Sequence, residues 1–142
     1  MLTVKHLLDQ KGTEVHATEP DAPVLEAIRL MAERHVGALL VMRGSELVGI
    51  VSERDYARKV ILLGRSSADT PVRQIMSSPV KTVTLAHSIN DCMQLMTEQR
   101  IRHLPVLDKG RVVGVVSIGD LVKAVMEEQQ QQIEQLERYI SS

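Results

Sequence analysis

The chain repeats itself. At a constant offset of 65 residues, the segment from Val15 to Val60 falls on the segment from Val80 to Val125 with 12 of 46 ungapped pairs identical. The strongest block is Val48-Gly49-Ile50-Val51-Ser52-Glu53-Arg54-Asp55 against Val113-Gly114-Val115-Val116-Ser117-Ile118-Gly119-Asp120. Upstream the offset becomes 68, with Val4, Leu7 and Leu8 falling on Val72, Ile75 and Met76, so the first copy carries three extra residues around Gln10-Lys11-Gly12. A duplication within 142 residues leaves each copy at about 60 residues, a size at which one core is marginal. Pairing of the copies is expected to complete it.

Local patterns agree between the copies. Ile89, Cys92, Met93 and Met96 form a helical stripe behind a capping Ser88, with Asp91 three residues on. Val24, Ala27, Ile28 and Met31 repeat the stripe, but Pro23 replaces the Ser, and Asp21 is the expected substitute cap. Short β-rich runs at Ala38 to Met42 and Leu47 to Ser52, then Leu104 to Leu107 and Val112 to Ser117, flank turn-forming residues and read as two hairpins, each followed by a helix. With short strands at Val15 to Thr18 and Val80 to Thr84, the order is β-α-β-β-α, twice, an α+β fold. The expected division is 1–64 for the first domain, 65–71 for a linker, 72–127 for the second domain and 128–142 for a C-terminal amphipathic helix. Within that linker, Thr70-Pro71 at its end reads as a cap and first helical residue.

Composition excludes several functions. Seventeen Lys and Arg balance 18 Asp and Glu, so the field that non-specific nucleic-acid binding needs is absent. No apolar run approaches the roughly 20 residues of a membrane span, and the Met1 to Lys5 segment lacks a signal-peptide layout, so a cytoplasmic protein is expected. Cys92, the only cysteine, cannot form an internal disulfide. The five histidines show no metal-ligand spacing, and the common hydrolase, zincin and phosphate-loop motifs are missing. No metal, required cofactor or catalytic activity is expected.

Gly49-Ile50-Val51-Ser52-x-x-Asp55 and Gly114-Val115-Val116-Ser117-x-x-Asp120, supported by Arg102-His103-Leu104-Pro105-Val106, resemble the cystathionine-β-synthase-type (CBS) domain family in its tandem form. Ser52 to Lys59 and the ending Ile133 to Ile140 resemble a bacterial subfamily of stand-alone regulatory proteins of this kind. The resemblance implies two domains packed with pseudo-two-fold symmetry, and clefts between them that bind adenosine-containing ligands such as AMP, ADP, ATP or NAD(H). It also implies frequent homodimers and a signal passed to an effector protein that this sequence does not identify. A non-catalytic dimerisation scaffold with vestigial clefts is the alternative.

Within that resemblance Asp55 and Asp120 are the expected ribose ligands, since a carboxylate accepts from both hydroxyls of a diol. Ser52 and Ser117 lie beside them, and each Ser-x-x-Asp is also nearly a capping box, although Asp is shorter than the usual Glu or Gln. Arg54 adds charge in the first copy where Gly119 permits close backbone approach in the second. Arg102 and His103 are expected phosphate contacts, or else a solvated basic turn. With no Phe or Trp to stack on, adenine would lie between aliphatic groups and backbone at His16, Ala17 and Leu39, and at Lys81, Thr82, Leu104 and Pro105, each of which packing also explains. Val122, Val125, Met126, Gln129, Ile133, Leu136 and Ile140 form a stripe that needs either a second subunit or the chain's own surface.

Overall fold

The computed structural model describes residues 2–141 and contains two compact units, each an α+β layer of one small mixed sheet and its helices. One unit is built on Glu14–Lys81. It holds β1 (Ala17–Thr18), α2 (Val24–Arg34), β2 (Ala38–Arg43), β3 (Glu46–Ser52) and α3 (Glu53–Tyr56), the last continuing as a π-helical turn at Ala57–Ile61. The other is built on the chain up to Thr13, Thr82–Asp108 and the chain from Val113 onward. Its elements are α1 (Val4–Lys11), β4 (Val83–Thr84), α4 (Ile89–Gln99), β5 (His103–Asp108), β6 (Arg111–Ser117) and α5 (Ile118–Ser141).

Both sheets have the same order, β1-β2-β3 and β4-β5-β6. The first strand of each runs parallel to the second, and the partners Thr18 with Val41 and Val83 with Val106 are the same pair 65 residues apart. The buried stripes expected from spacing are present: Val24, Ala27 and Met31 in one core, Ile89, Cys92 and Met96 in the other. Burial, and secondarily the Asp91 charge, pushes the Cys92 thiol up to about 11, so it stays a neutral hydrophobe. Among the described residues no helix is long and apolar enough to cross a membrane.

The units do not follow the sequence division at residue 64. Val4, Leu7 and Leu8 of α1 are buried in the core formed by the second copy, whereas Val72 and Ile75 are buried in the core of the first. The equivalence of these segments is itself correct. The Val4 and Val72 amides donate to the His87 and Ala22 carbonyls, both at 2.9 Å, and the Ile89 and Val24 amides donate back to Leu2 and Thr70 at 3.0 and 2.8 Å. Each leading segment therefore closes the start of the other copy's first helix. This also explains why Asp21 does not cap α2: the Thr70 carbonyl and, for Leu25, the Ser67 carbonyl take the amides instead, and Asp21 pairs with Arg73 at 3.1 Å. Thr70 is not a cap either, since its hydroxyl donates to the Ser66 carbonyl at 2.6 Å and Pro71 precedes the 3₁₀ turn Val72–Gln74. Ser88, by contrast, caps α4 with Asp91 as its spacing indicates.

The motif glycines mark where these segments lie on the strands. A Cβ on Gly49 would stand 2.5 Å from Met76 Sδ and 3.2 Å from the Ser77 carbonyl oxygen, and one on Gly114 would stand 2.9 Å from the buried Leu8 methyls. Gly49→Ala and Gly114→Ala are each expected to destabilise by about 1–3 kcal/mol through overpacking, with Gly49→Ala the larger because backbone as well as side chain must shift. Urea unfolding monitored by circular dichroism checks both.

Candidate functional site

In each unit the third strand of the sheet runs directly into a helix, at Ser52 and at Ser117. A helix start leaves amides without intrahelical partners, and the two junctions satisfy them in the same way. The first helical amide goes to a carbonyl at the start of the middle strand, Glu53 to Gly37 at 3.1 Å and Ile118 to Arg102 at 2.9 Å. The third goes to the serine hydroxyl, Asp55 to Ser52 at 3.2 Å and Asp120 to Ser117 at 3.1 Å. The aspartate reaches back: Oδ2 of Asp55 accepts from the Ser52 amide at 2.9 Å, and Oδ2 of Asp120 from the Ser117 amide at 2.8 Å. Asp is thus long enough to complete the box, because extended backbone at the cap, φ −126° and ψ 165° at Ser52, turns the serine amide toward it. The capping role describes both serines.

Each carboxylate also holds an ammonium group, and here the copies differ. Lys59, one turn along the same helical segment, lies 3.3 Å from Asp55 Oδ1 and donates to the Ile75 carbonyl at 2.9 Å. Its counterpart by the repeat is Ala124. Asp120 is instead served by Lys11 at the end of α1, which donates to Oδ2 at 2.6 Å and to the Val115 carbonyl at 2.7 Å. Neither carboxylate is sealed away, with side-chain exposures of 14% for Asp55 and 26% for Asp120. Burial opposes ionisation of Asp120, but the hydrogen bonds from Lys11 and Ser117 outweigh it and hold the carboxyl below its ordinary value.

Around Asp120 the charges form one cluster. His103, half-buried at the start of β5, is shifted down by burial; the nearby Asp120 charge opposes this, while Lys11 and Arg102 reinforce it. Its imidazole is neutral at pH 7, so the fixed positive charge beside Asp120 comes from Lys11 and the exposed Arg102 rather than from His103. In the other unit, Arg54 is exposed next to Asp55. A Cβ on Gly119 would meet nothing closer than Ser117 Oγ at 3.7 Å, so the chain's own packing does not require glycine there. The positions expected around an adenine divide by burial. Leu39 and Leu104 are core residues, and Pro105 is buried with them, which leaves these three their backbone but not their side chains for a ligand. His16 and Thr82 are half-buried, and Ala17 and Lys81 are exposed.

Two side chains that complete these junctions, Lys59 and Lys11, are not among the residues expected from the motifs. Asp55 and Lys59 stand four residues apart, a spacing at which opposite charges meet on a helix, so Lys59 was available from the pattern. Lys11 was not, because 109 residues separate it from its partner.

A family model described as CBS domain matches residues 11–61 and 72–127. The CBS domain-containing protein CBSX3, mitochondrial, of Arabidopsis thaliana is 40% identical over 147 residues, covering 97% of this chain and 71% of the relative. Among solved structures, the CBS-domain protein NE2398 is 52% identical with a TM-score of 0.84, covering 87% of this chain and 97% of its own. A CBS-domain protein from Burkholderia ambifaria, thought to act in signal transduction, is 50% identical with a TM-score of 0.87, over 89% and 96% of the two chains.

The depressed Asp120 carboxyl sets a pH signature. A carboxyl whose pKa is lowered by folding contributes stability that is present above the unfolded value and lost as pH falls through the folded one. The stability difference between the parent and Asp120→Asn is therefore expected to be constant above about pH 4.5 and to shrink steadily below about pH 4. Thermal unfolding midpoints of the two proteins from pH 7 to pH 3 measure it.

Proposed function

The chain belongs to the CBS-domain family, carrying two copies in tandem, and from that premise we propose that it is a regulatory module whose two strand-to-helix junctions bind adenosine-containing ligands. Proteins built on such pairs are regulatory and signal-transduction modules, and no catalytic domain accompanies the pair in the stand-alone relatives. The observation that carries the reading is the matched placement of Asp55 and Asp120. Each is held, partly buried, by a backbone amide and a lysine, so that its position is set before any ligand arrives. A carboxylate fixed in this way can exchange its ammonium partner for the two hydroxyls of a ribose without rearrangement of the helix start. A CBS pair of the same fold, protein MJ0100, at 22% identity and a TM-score of 0.80, has been solved with 5′-methylthioadenosine and S-adenosylmethionine. Those ligands share the adenosine diol with AMP, ADP, ATP and NAD(H), the classes proposed for this chain.

The second junction favours phosphorylated ligands. When a diol takes Asp120, Lys11 gives up one of its two acceptors, and its ammonium joins Arg102 as a counter-charge for a phosphate. Arg54 supplies the corresponding charge near Asp55. Occupancy would be transmitted because ligand stabilises whichever conformation binds it better; the receiver is an effector protein. A second reading, a dimerisation scaffold, draws support from the lysine partners themselves, which already satisfy both carboxylates without a ligand.

Isothermal titration with AMP, ADP, ATP, NAD, NADH and S-adenosylmethionine separates the readings. Each of Asp55→Ala and Asp120→Ala is expected to weaken its own site at least about tenfold, the loss of one charge-assisted hydrogen bond or more, while the other site still titrates. If a ligand bound the parent and both variants alike, the ribose role would be wrong, and a flat response of the parent to every compound would support the scaffold. Lys11→Met is expected to lower affinity for AMP while leaving adenosine affinity unchanged or higher, in the same titration.

A further inference from the structure

Helix α1 has only eight residues, short enough that its order depends on what it is docked against. Its beginning is docked firmly: Val4, Leu7 and Leu8 are buried, and the Val4 and Lys5 amides donate to the His87 and Leu85 carbonyls. Its end is not. From Asp9 to Glu14 every residue is exposed, and the helix stops at Gly12, whose φ of +96° turns the chain off the helical path while its amide closes on the Leu8 carbonyl at 2.8 Å. Among the described residues, one side chain makes the hydrogen bonds that fasten this end to β6 and to Asp120. Lys11 donates to the Val115 carbonyl at 2.7 Å and to Asp120 Oδ2 at 2.6 Å.

The other unit secures the matching segment by backbone. Ser77 and Ile50 exchange hydrogen bonds at 2.8 and 3.1 Å, and the Ile75 carbonyl takes Lys59 in addition. Withdrawing the Lys59 ammonium from Asp55 therefore leaves that segment pinned by its strand pair. Withdrawing Lys11 from Asp120 leaves the end of α1 on a single hydrogen bond. Lys11 also lies in the three residues by which the first copy exceeds the second, so nothing in the other unit repeats it.

We propose that the end of α1 reads the charge of the ligand bound at Asp120, an inference that rests on the ribose role given to that carboxylate above. A diol that takes the carboxylate displaces the ammonium from Oδ2 whatever else the ligand carries; what differs is where the ammonium goes. A phosphate next to the ribose offers Lys11 a new anionic partner, so α1 exchanges one tie for another and stays docked. Adenosine offers none, and the cationic sulfonium of S-adenosylmethionine repels the ammonium. Arg102 belongs to the same charge cluster and adds to the positive field that an unpaired Lys11 must bear. Released from Asp120, the last turn of α1 opens at low cost and uncovers the backbone of β6 at Val115, a surface that neutral and cationic ligands expose to an effector and phosphorylated ligands keep covered. The junction at Asp55 has no such response, because its leading segment does not depend on the lysine.

Hydrogen-exchange mass spectrometry of the full chain tests this in the peptide spanning Leu7–Gly12. Without ligand, Lys11→Met is expected to accelerate its exchange at least about tenfold, and Asp120→Asn, which keeps the side-chain shape and removes the charge, roughly threefold. With binding saturated as judged by calorimetry, adenosine and S-adenosylmethionine are expected to accelerate exchange in the parent at least about threefold, and AMP to leave it within about twofold of the ligand-free rate. In Lys11→Met the three compounds are expected to act alike, and the peptide spanning Val72–Ser77 is expected to stay within about twofold throughout. Equal effects of bound adenosine and bound AMP on the parent would overturn the charge reading while leaving ligand binding at Asp120 intact. A Lys11→Met variant that exchanges like the parent would overturn it as well, by showing that the ammonium does not hold α1. If none of the three compounds binds the parent, the ribose role of Asp120 fails and the charge reading with it.

Discussion

A strand that runs straight into a helix must find partners for amides that neither element satisfies. Here that requirement is met twice by the same device: a serine whose hydroxyl takes one amide and an aspartate three residues on whose carboxylate takes the serine's own. The arrangement fixes where the helix starts, and it fixes one carboxylate oxygen within 3 Å of backbone in each unit. The same atoms that complete the fold locally are the ones the proposed function assigns to a ligand. A carboxylate positioned by its own backbone needs no further ordering when a diol arrives, and the ligand-binding proposal draws on this preorganisation.

Ammonium groups complete both junctions, and their different origins make the copies chemically distinct. Lys59 is local to Asp55, so its pairing forms with the helical turn. Lys11 reaches Asp120 from α1, which makes the second junction depend on a helix at the other end of the chain. That dependence follows from how the cores are assembled, with the leading segment of each copy closing the first helix of the other. Val4, Leu7 and Leu8 are as much a part of the second core as Ile89 and Met96. The glycine of each motif is the point where such a segment lies against the sheet, so packing alone constrains a residue three positions before the capping serine.

Helix α5 joins these two levels. It starts as the capped element that carries Asp120 and continues from Gln129 to Ser141 as a helix exposed on every side. Few contacts within the chain hold its second half, so its stability is the property most open to an external partner.

Much of this was legible in the residues themselves. The doubling, the α+β order, both hairpins, the buried helical stripes and the Ser88 cap all rest on patterns that are local in sequence, because side-chain period and capping geometry act over one or two turns. The order of residues was therefore enough for the family, the elements and the placement of Asp55 and Asp120 at helix starts. Only the packed chain reveals that α1 belongs with the second copy, that Asp21 pairs with Arg73 instead of capping α2, that Leu39 and Leu104 are core, and that Lys11 meets Asp120. Each of these depends on a contact between residues tens of positions apart or more, and no local periodicity records which of several compatible surfaces a segment will cover.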